Sequence, residues 1–240
     1  MPIANYPFLF TLQTFACPLP LFCNLSVPYI NATSAVLLDS STGRLIYSKN
    51  PNLVLAPAST TKIMTAILAL EKESLSKMEL ISPAAAAKEG SSMYLVNKEQ
   101  RSLKDLLYGL LLVSGNDAAT AIAESVSGTE GKFAQLMNQE NTQFKNASGL
   151  PAIGHYSTAY DLAILTKYAL KNPSIAKIIS TKVKVIPGAK PGTTRRLINH
   201  NKLLWNDPII TGVKTGYTIT AGGCLVASAT YNNKVALQSF

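Results

Sequence analysis

The hydrophobic period changes twice along these 240 residues, and that constrains the fold more than any other feature. Ala35-Val36-Leu37-Leu38 is an apolar run, Asp39 to Gly43 is turn chemistry, and Arg44-Leu45-Ile46-Tyr47 returns, which predicts a β-hairpin over 34–49. After Pro57 the spacing becomes helical: Ile63, Met64, Ile67, Leu68 and Leu70 share one face. Further helices are predicted over 103–113, 117–126, 133–137 and 157–170, with a short one after Asn172-Pro173 that ends near Ser180. The period then returns to two. Lys182 to Ile186, Ile209 to Val213, Cys224 to Thr230 and Val235 to Phe240 read as strands, with Tyr231-Asn232-Asn233 as a turn. This order predicts an α+β fold. One antiparallel β-sheet is built from both chain ends and flanked by helices, with a helical lobe inserted. A cleft between sheet and lobe is where a site belongs.

Hydrophobic residues make up 47% of the chain and charged ones 15%, the balance of a folded domain. Residues 1–32 stand apart. Phe8 to Leu25 is largely apolar and uncharged, while Pro7, Pro18, Pro20 and Pro28 oppose a stable spanning helix. This stretch reads as a signal-like leader, although no Lys or Arg precedes its apolar core, and leaves 33–240 as the working domain. Nothing after residue 33 is apolar for long enough to span a bilayer, and membrane anchoring is not evident. The net charge is +9, but the 22 Lys and Arg read as dispersed, with only Arg195-Arg196 adjacent. That opposes nucleic-acid binding and suits an anionic wall or membrane surface. Cys17, Cys23 and Cys224 form no C-x-x-C pair, so neither a disulfide framework nor a zinc site is expected, and no cofactor motif is present. Cys224 reads as a small buried hydrophobe.

Three short motifs carry chemistry. Ser-x-x-Lys occurs at Ser59…Lys62, Ser74…Lys77 and Ser174…Lys177. Ser74 lies in a polar stretch and Ser174 at a plain helix start; only Ser59 follows Pro57-Ala58 at the head of a strongly apolar helix. Residues three apart share a helix face, so Lys62 can reach the Ser59 hydroxyl. An apolar setting eases loss of the lysine proton, and a neutral amine is a competent base for a serine. Ser114-Gly115-Asn116 breaks two helical segments, either as a tight turn or as a loop presenting a hydroxyl and an amide to the cleft. Lys214-Thr215-Gly216 follows a strand, either as its closing turn or as a cationic edge for a carboxylate, with Gly216 admitting a close backbone.

Taken together with their surroundings, these blocks resemble the serine D-alanyl-D-alanine carboxypeptidases, the low-molecular-weight penicillin-binding proteins. The resemblance runs from about Ser34 to Thr230. It includes Thr42-Gly43-Arg44-Leu45, Pro57 to Thr65, Gly90-Ser91-Ser92-Met93, Leu106 to Leu111, Ser114 to Ala119, His155 to Ala159 and Lys214 to Thr218. A Ser-x-x-Lys, a second polar triplet and a Lys-Thr-Gly, in that order, form the motif set of this superfamily. The resemblance implies a nucleophile at Ser59, a base at Lys62 and a proton relay at Ser114. Asn116 would hold the substrate amide, Lys214, Thr215 and Gly216 the substrate end, and the Ser59 and Tyr217 N–H groups an oxyanion. The implied partners are peptidoglycan stem peptides and β-lactam antibiotics, and the implied location is extracytoplasmic, in a bacterial periplasm or cell envelope.

Some positions depart from the family. The stretch 138–144 looks shortened by about two helical turns. His200 stands where some relatives carry an arginine, and is either its substitute or a surface histidine. The chain stops at Phe240, where the family continues with more strand, a helix and often a second β domain. A penicillin-binding relic without turnover is the non-enzymatic alternative. A β-lactamase needs a glutamate after the second motif, and none occurs from Asn141 to Asn172.

Overall fold

A computed structural model describes residues 29–138, 142–231 and 234–239. Nearly all of the leader, and two residues of the turn expected at 231–233, lie outside them. Strands β1 (Ala35–Asp39) and β2 (Leu45–Lys49) form the expected hairpin. Asp39 Oδ1 accepts from Ser41 N, Ser41 Oγ and Thr42 N, which holds the turn and draws its pKa down to about 2. A 3₁₀ turn (Ala58–Thr61) then leads into α1 (Lys62–Lys72). The lobe follows: β3 (Met78–Leu80), α2 (Pro83–Ala86), β4 (Gln100–Ser102), α3 (Leu103–Leu112), α4 (Asn116–Ser127) and α5 (Glu130–Met137). Beyond it come α6 (Ala159–Ala169), α7 (Pro173–Ile179), β5 (Val183–Pro187), β6 (Thr194–Ile198) and α8 (Leu203–Asn206). The chain closes with β7 (Ile210–Thr218), β8 (Gly222–Tyr231) and β9 (Lys234–Ser239).

The five-stranded sheet has the order β2-β1-β9-β8-β7, every pair antiparallel, so both chain ends build it as expected. β5 does not join it. It pairs with β6 as a separate ribbon. β3, α2, β4 and α8 were not legible, with three or four residues each, and β6 reads Thr-Arg-Arg-Leu-Ile, with too few apolar residues to show a period.

α3 is the hub of the core. Leu103, Leu106, Leu107, Leu110, Leu111 and Leu112 are all buried, and α1, α4 and α7 pack around them. Gly109 has a packing reason: a Cβ there would lie 2.1 Å from Met93 Sδ. Side chains cap α3, α5, α6 and α7 at their starts. Ser102, Thr129, Thr158 and Asn172 accept from the backbone N–H groups of Asp105, Lys132, Asp161 and Ser174. Ser174 is thus only the first turn of a capped helix, and Ser74 is an exposed turn residue bonded to Ser76 Oγ.

Candidate active site

Ser59 sits in the 3₁₀ turn and Lys62 opens α1, so the pair straddles a junction of two helix types. Ser59 is partly exposed, whereas Lys62 is fully buried. Lys62 Nζ lies 3.0 Å from Ser59 Oγ, 2.8 Å from Asn116 Oδ1 and 2.5 Å from Ser148 O. A neutral amine has two N–H donors and one lone pair. The two N–H groups fit Asn116 Oδ1 and Ser148 O, which turns the lone pair towards the Ser59 hydroxyl. Burial drives the Lys62 pKa well below its ordinary value and the Lys214 charge pushes the same way; Asp117 and Glu130 oppose in part. The three contacts would equally suit a charged amine with three donors; burial is what favours the neutral form.

Asn116 is more committed than the sequence suggested. Its carbonyl accepts from Lys62, and its amide donates to Glu89 O at 2.7 Å. Both ends are engaged inside the protein, so Asn116 orients the amine. Next to it, Asp117 pins the Ser92–Leu95 loop. Its carboxylate accepts from Ser92 Oγ, Met93 N and Leu95 N, and from Ala118 N at the head of α4. Ser114 holds a left-handed backbone, φ +60°, a strain of about 1–3 kcal/mol for a non-glycine residue. The bonds Gly115 N to Gly109 O and Asn116 N to Ser91 O hold that turn in place. Ser114 Oγ accepts from Lys214 Nζ at 3.0 Å.

Lys214 is not in a closing turn. β7 runs on to Thr218, so Lys214-Thr215-Gly216 lies inside a strand that forms an edge of the main sheet. A strand edge offers free backbone groups along its length, which a turn does not. Lys214 is 1% exposed, and burial brings its pKa down to about 7. Gly216 packs against the turn that carries Ser59: a Cβ there would lie 2.9 Å from Ser59 N and 3.1 Å from Ala58 Cβ. Thr215 is half-buried, and the Tyr217 side chain is exposed. His200 lies at the rim on the Lys214 side. It is exposed, its N–H donates to Leu112 O, and partial burial followed by the Lys214 charge lowers its pKa.

The sequence reading missed the loop that completes the site. Asn146 Oδ1 accepts from Ser148 N, Ser148 Oγ, Gly149 N and Leu150 N, and this folds the loop so that Ser148 O meets Lys62. The signal was the turn chemistry of Asn146-Ala147-Ser148-Gly149; what it lacked was any indication that the turn abuts Ser59. His155 also belongs to this layer. Its Nδ1 accepts from Lys145 N, so the neutral ring carries its proton on Nε2, 2.9 Å from Thr61 Oγ1. Burial, aided by the Lys145 charge, lowers its pKa to about 4, so it stays neutral and serves as a structural link. Cys224 is half-buried, and its thiol donates to Ala56 O at 3.7 Å.

A pH prediction follows from His155. An unfolded His binds a proton below about 6.5, while the native ring resists until about 4. The unfolded state then holds more protons, so stability falls as pH drops across that window, by on the order of 3 kcal/mol. Urea unfolding between these limits checks it: wild type should lose more stability than His155→Gln, and equal losses refute it.

The fold and site define a class: an α+β domain with a helix-borne serine, a buried lysine against it and a cationic strand edge. The model of the D-alanyl-D-alanine carboxypeptidase family of S11 peptidases matches residues 23–239, and the chain belongs to that family. D-alanyl-D-alanine carboxypeptidase DacF of Bacillus subtilis is 42% identical over 220 residues, covering 86% of this chain and 56% of that protein. DacA of Escherichia coli K12 is 33% identical over 224 residues, covering 85% and 54%. The chain thus spans about half the length of the curated relatives it matches. Among solved structures, the Streptomyces K15 DD-transpeptidase superposes with a TM-score of 0.83 at 30% identity, over 88% of this chain and 90% of that one. D-alanyl-D-alanine carboxypeptidase DacD from Francisella tularensis gives 0.82 at 30% identity, over 88% and 66%.

Proposed function

We propose that residues 33–240 form the catalytic domain of a serine D-Ala-D-Ala carboxypeptidase that trims peptidoglycan stem pentapeptides outside the cytoplasm. The observation that carries this reading is the buried Lys62 amine in contact with the Ser59 hydroxyl, held by Asn116 Oδ1 and Ser148 O. Ser59 Oγ attacks the carbonyl between the two D-alanines while Lys62 takes its proton. The Ser59 and Tyr217 N–H groups steady the oxyanion. The proton taken up by Lys62 is returned through Ser114, which Lys214 holds, to the leaving amine, and D-alanine departs. Lys214 and Thr215 receive the terminal carboxylate, and Gly216 lets the substrate backbone lie close. Water then cleaves the acyl-enzyme. A β-lactam presents the same acyl geometry and acylates Ser59 too.

A fluorescent penicillin should label wild type and leave Ser59→Ala unlabelled. A labelled Ser59→Ala would remove the nucleophile assignment, and a folded wild type without label would favour a binding relic. Acyl transfer to an amine is a second reading, favoured by the likeness to a DD-transpeptidase. Released D-alanine measured against cross-linked product on a pentapeptide separates the two.

A further inference from the structure

The chain's excess charge is concentrated, not dispersed as the spacing of its cations suggests. Between Leu162 and Asn206 there are nine Lys and Arg and no Asp or Glu; outside that span 13 cations balance 13 acids. The whole net charge of +9 therefore resides in 45 residues. Among the described residues only Arg195 of the nine pairs with a carboxylate, that of Glu99.

Tertiary contacts tie the later part of this span together. α7 and α8 both pack on the edge strand β7, and the β5–β6 ribbon packs on α3. Asn199 joins the pieces: its Nδ2 donates to Ile179 O and Thr181 O, and its N–H to Lys182 O. Register places Val183 opposite Ile198 and Val185 opposite Arg196 on one ribbon face. That face points outward, with Val185 54% and Ile198 41% exposed. At its end, Lys182 Nζ lies 5.6 Å from the ring centre of Trp205, which is 47% exposed and has Lys202 three residues before it.

We propose that this face is a docking surface for an anionic phospholipid bilayer. Unpaired cations supply attraction to the headgroup layer, and an exposed Trp with aliphatic neighbours is the side-chain set that enters the interface. A soluble polyanion would need the cations alone and has no use for Trp205, Val185 and Ile198, which favours the bilayer. The mode is adsorption: among the described residues no helix is long and apolar enough to cross a membrane.

Trp205 is the only tryptophan, so the full chain carries its own probe. Phosphatidylcholine vesicles containing phosphatidylglycerol should blue-shift its emission, and brominated acyl chains should quench it. Pure phosphatidylcholine should do neither. Neutralising three cations, K182Q/R196Q/K202Q, should weaken vesicle binding by about 10²-fold, at roughly one tenfold step or a little less per charge. No shift with anionic vesicles overturns the proposal, as does equal binding to neutral vesicles. Binding to soluble polyphosphate with no lipid quenching also overturns it, in favour of a wall-polymer surface. The wild-type measurement decides the matter even if the triple variant fails to fold.

Discussion

A Lys62→Met enzyme is expected to fold and to lose acylation by about 10⁴-fold, the scale on which a nucleophile deprived of its base fails. Met matches the length and apolar character of the stem, which is fully buried. Two acceptors, Asn116 Oδ1 and Ser148 O, lose a donor, at about 1–3 kcal/mol each. Removing an amine whose burial already disfavours its charge offsets part of that cost. Wild type should also show an acid limb. Lys62 is a base only when neutral, so the acylation rate falls as pH falls and the amine takes up a proton. Lys214 works in the opposite sense. It must be charged to hold a carboxylate, and burial brings its pKa to about 7, so carboxylate recognition fades on the alkaline side. A time course of penicillin labelling across pH checks both. A rate flat from mildly acidic to mildly basic pH, or a Lys62→Met variant within tenfold of wild type, removes Lys62 as the base.

The second large effect is expected from Gly149→Ala, one methyl group in a residue that performs no chemistry. Gly149 has φ +83°, and a Cβ there would lie 1.9 Å from Ala58 O and 2.4 Å from Ala58 C. The obstacle is backbone, so no rotamer relieves it. Ala58 itself sits at φ +47°, next to the nucleophile, and has little freedom to yield. The left-handed penalty and the overlap together cost about 2–5 kcal/mol. Any relaxation shifts Ser59 or withdraws Ser148 O from Lys62, which should slow acylation by about 10²-fold. Gly128→Ala is the control: φ is +77°, with nothing within 4 Å of the added Cβ, so it bears the backbone penalty alone. Thermal unfolding and labelling rate measured side by side decide it. Equal effects of the two substitutions would show that the contact with Ala58 does not matter.

These two residues mark where sequence reading succeeds and where it stops. Lys62 was legible because its relation to Ser59 is local: three residues on a helix bring two side chains together whatever the rest of the chain does. The long helices and the terminal strands were legible for the same kind of reason, since each repeats a period over many residues. Gly149 carried no such signal. Its neighbour Ala58 is 91 positions away, and only the closed fold brings the two into contact. Asn116 was found as a site residue, but its bond to Lys62 spans 54 positions, and the sequence assigned it to substrate alone. Lys214 was found as a cation, but its strand was ended too early, because Thr215 and Gly216 imitate a turn and only pairing with Leu225 and Cys224 shows that the strand continues.

Spacing along the chain was enough for the α+β plan and for the positions of the serine, lysine and cationic strand. Each depends on geometry within one segment, where the backbone dictates the outcome. It took the closed fold to show the burial that lowers the Lys62 pKa, the loop that buries it, the burial of Lys214 and the approach of Lys182 to Trp205. Desolvation and charge–charge coupling act through space, and folding sets which distant groups share that space.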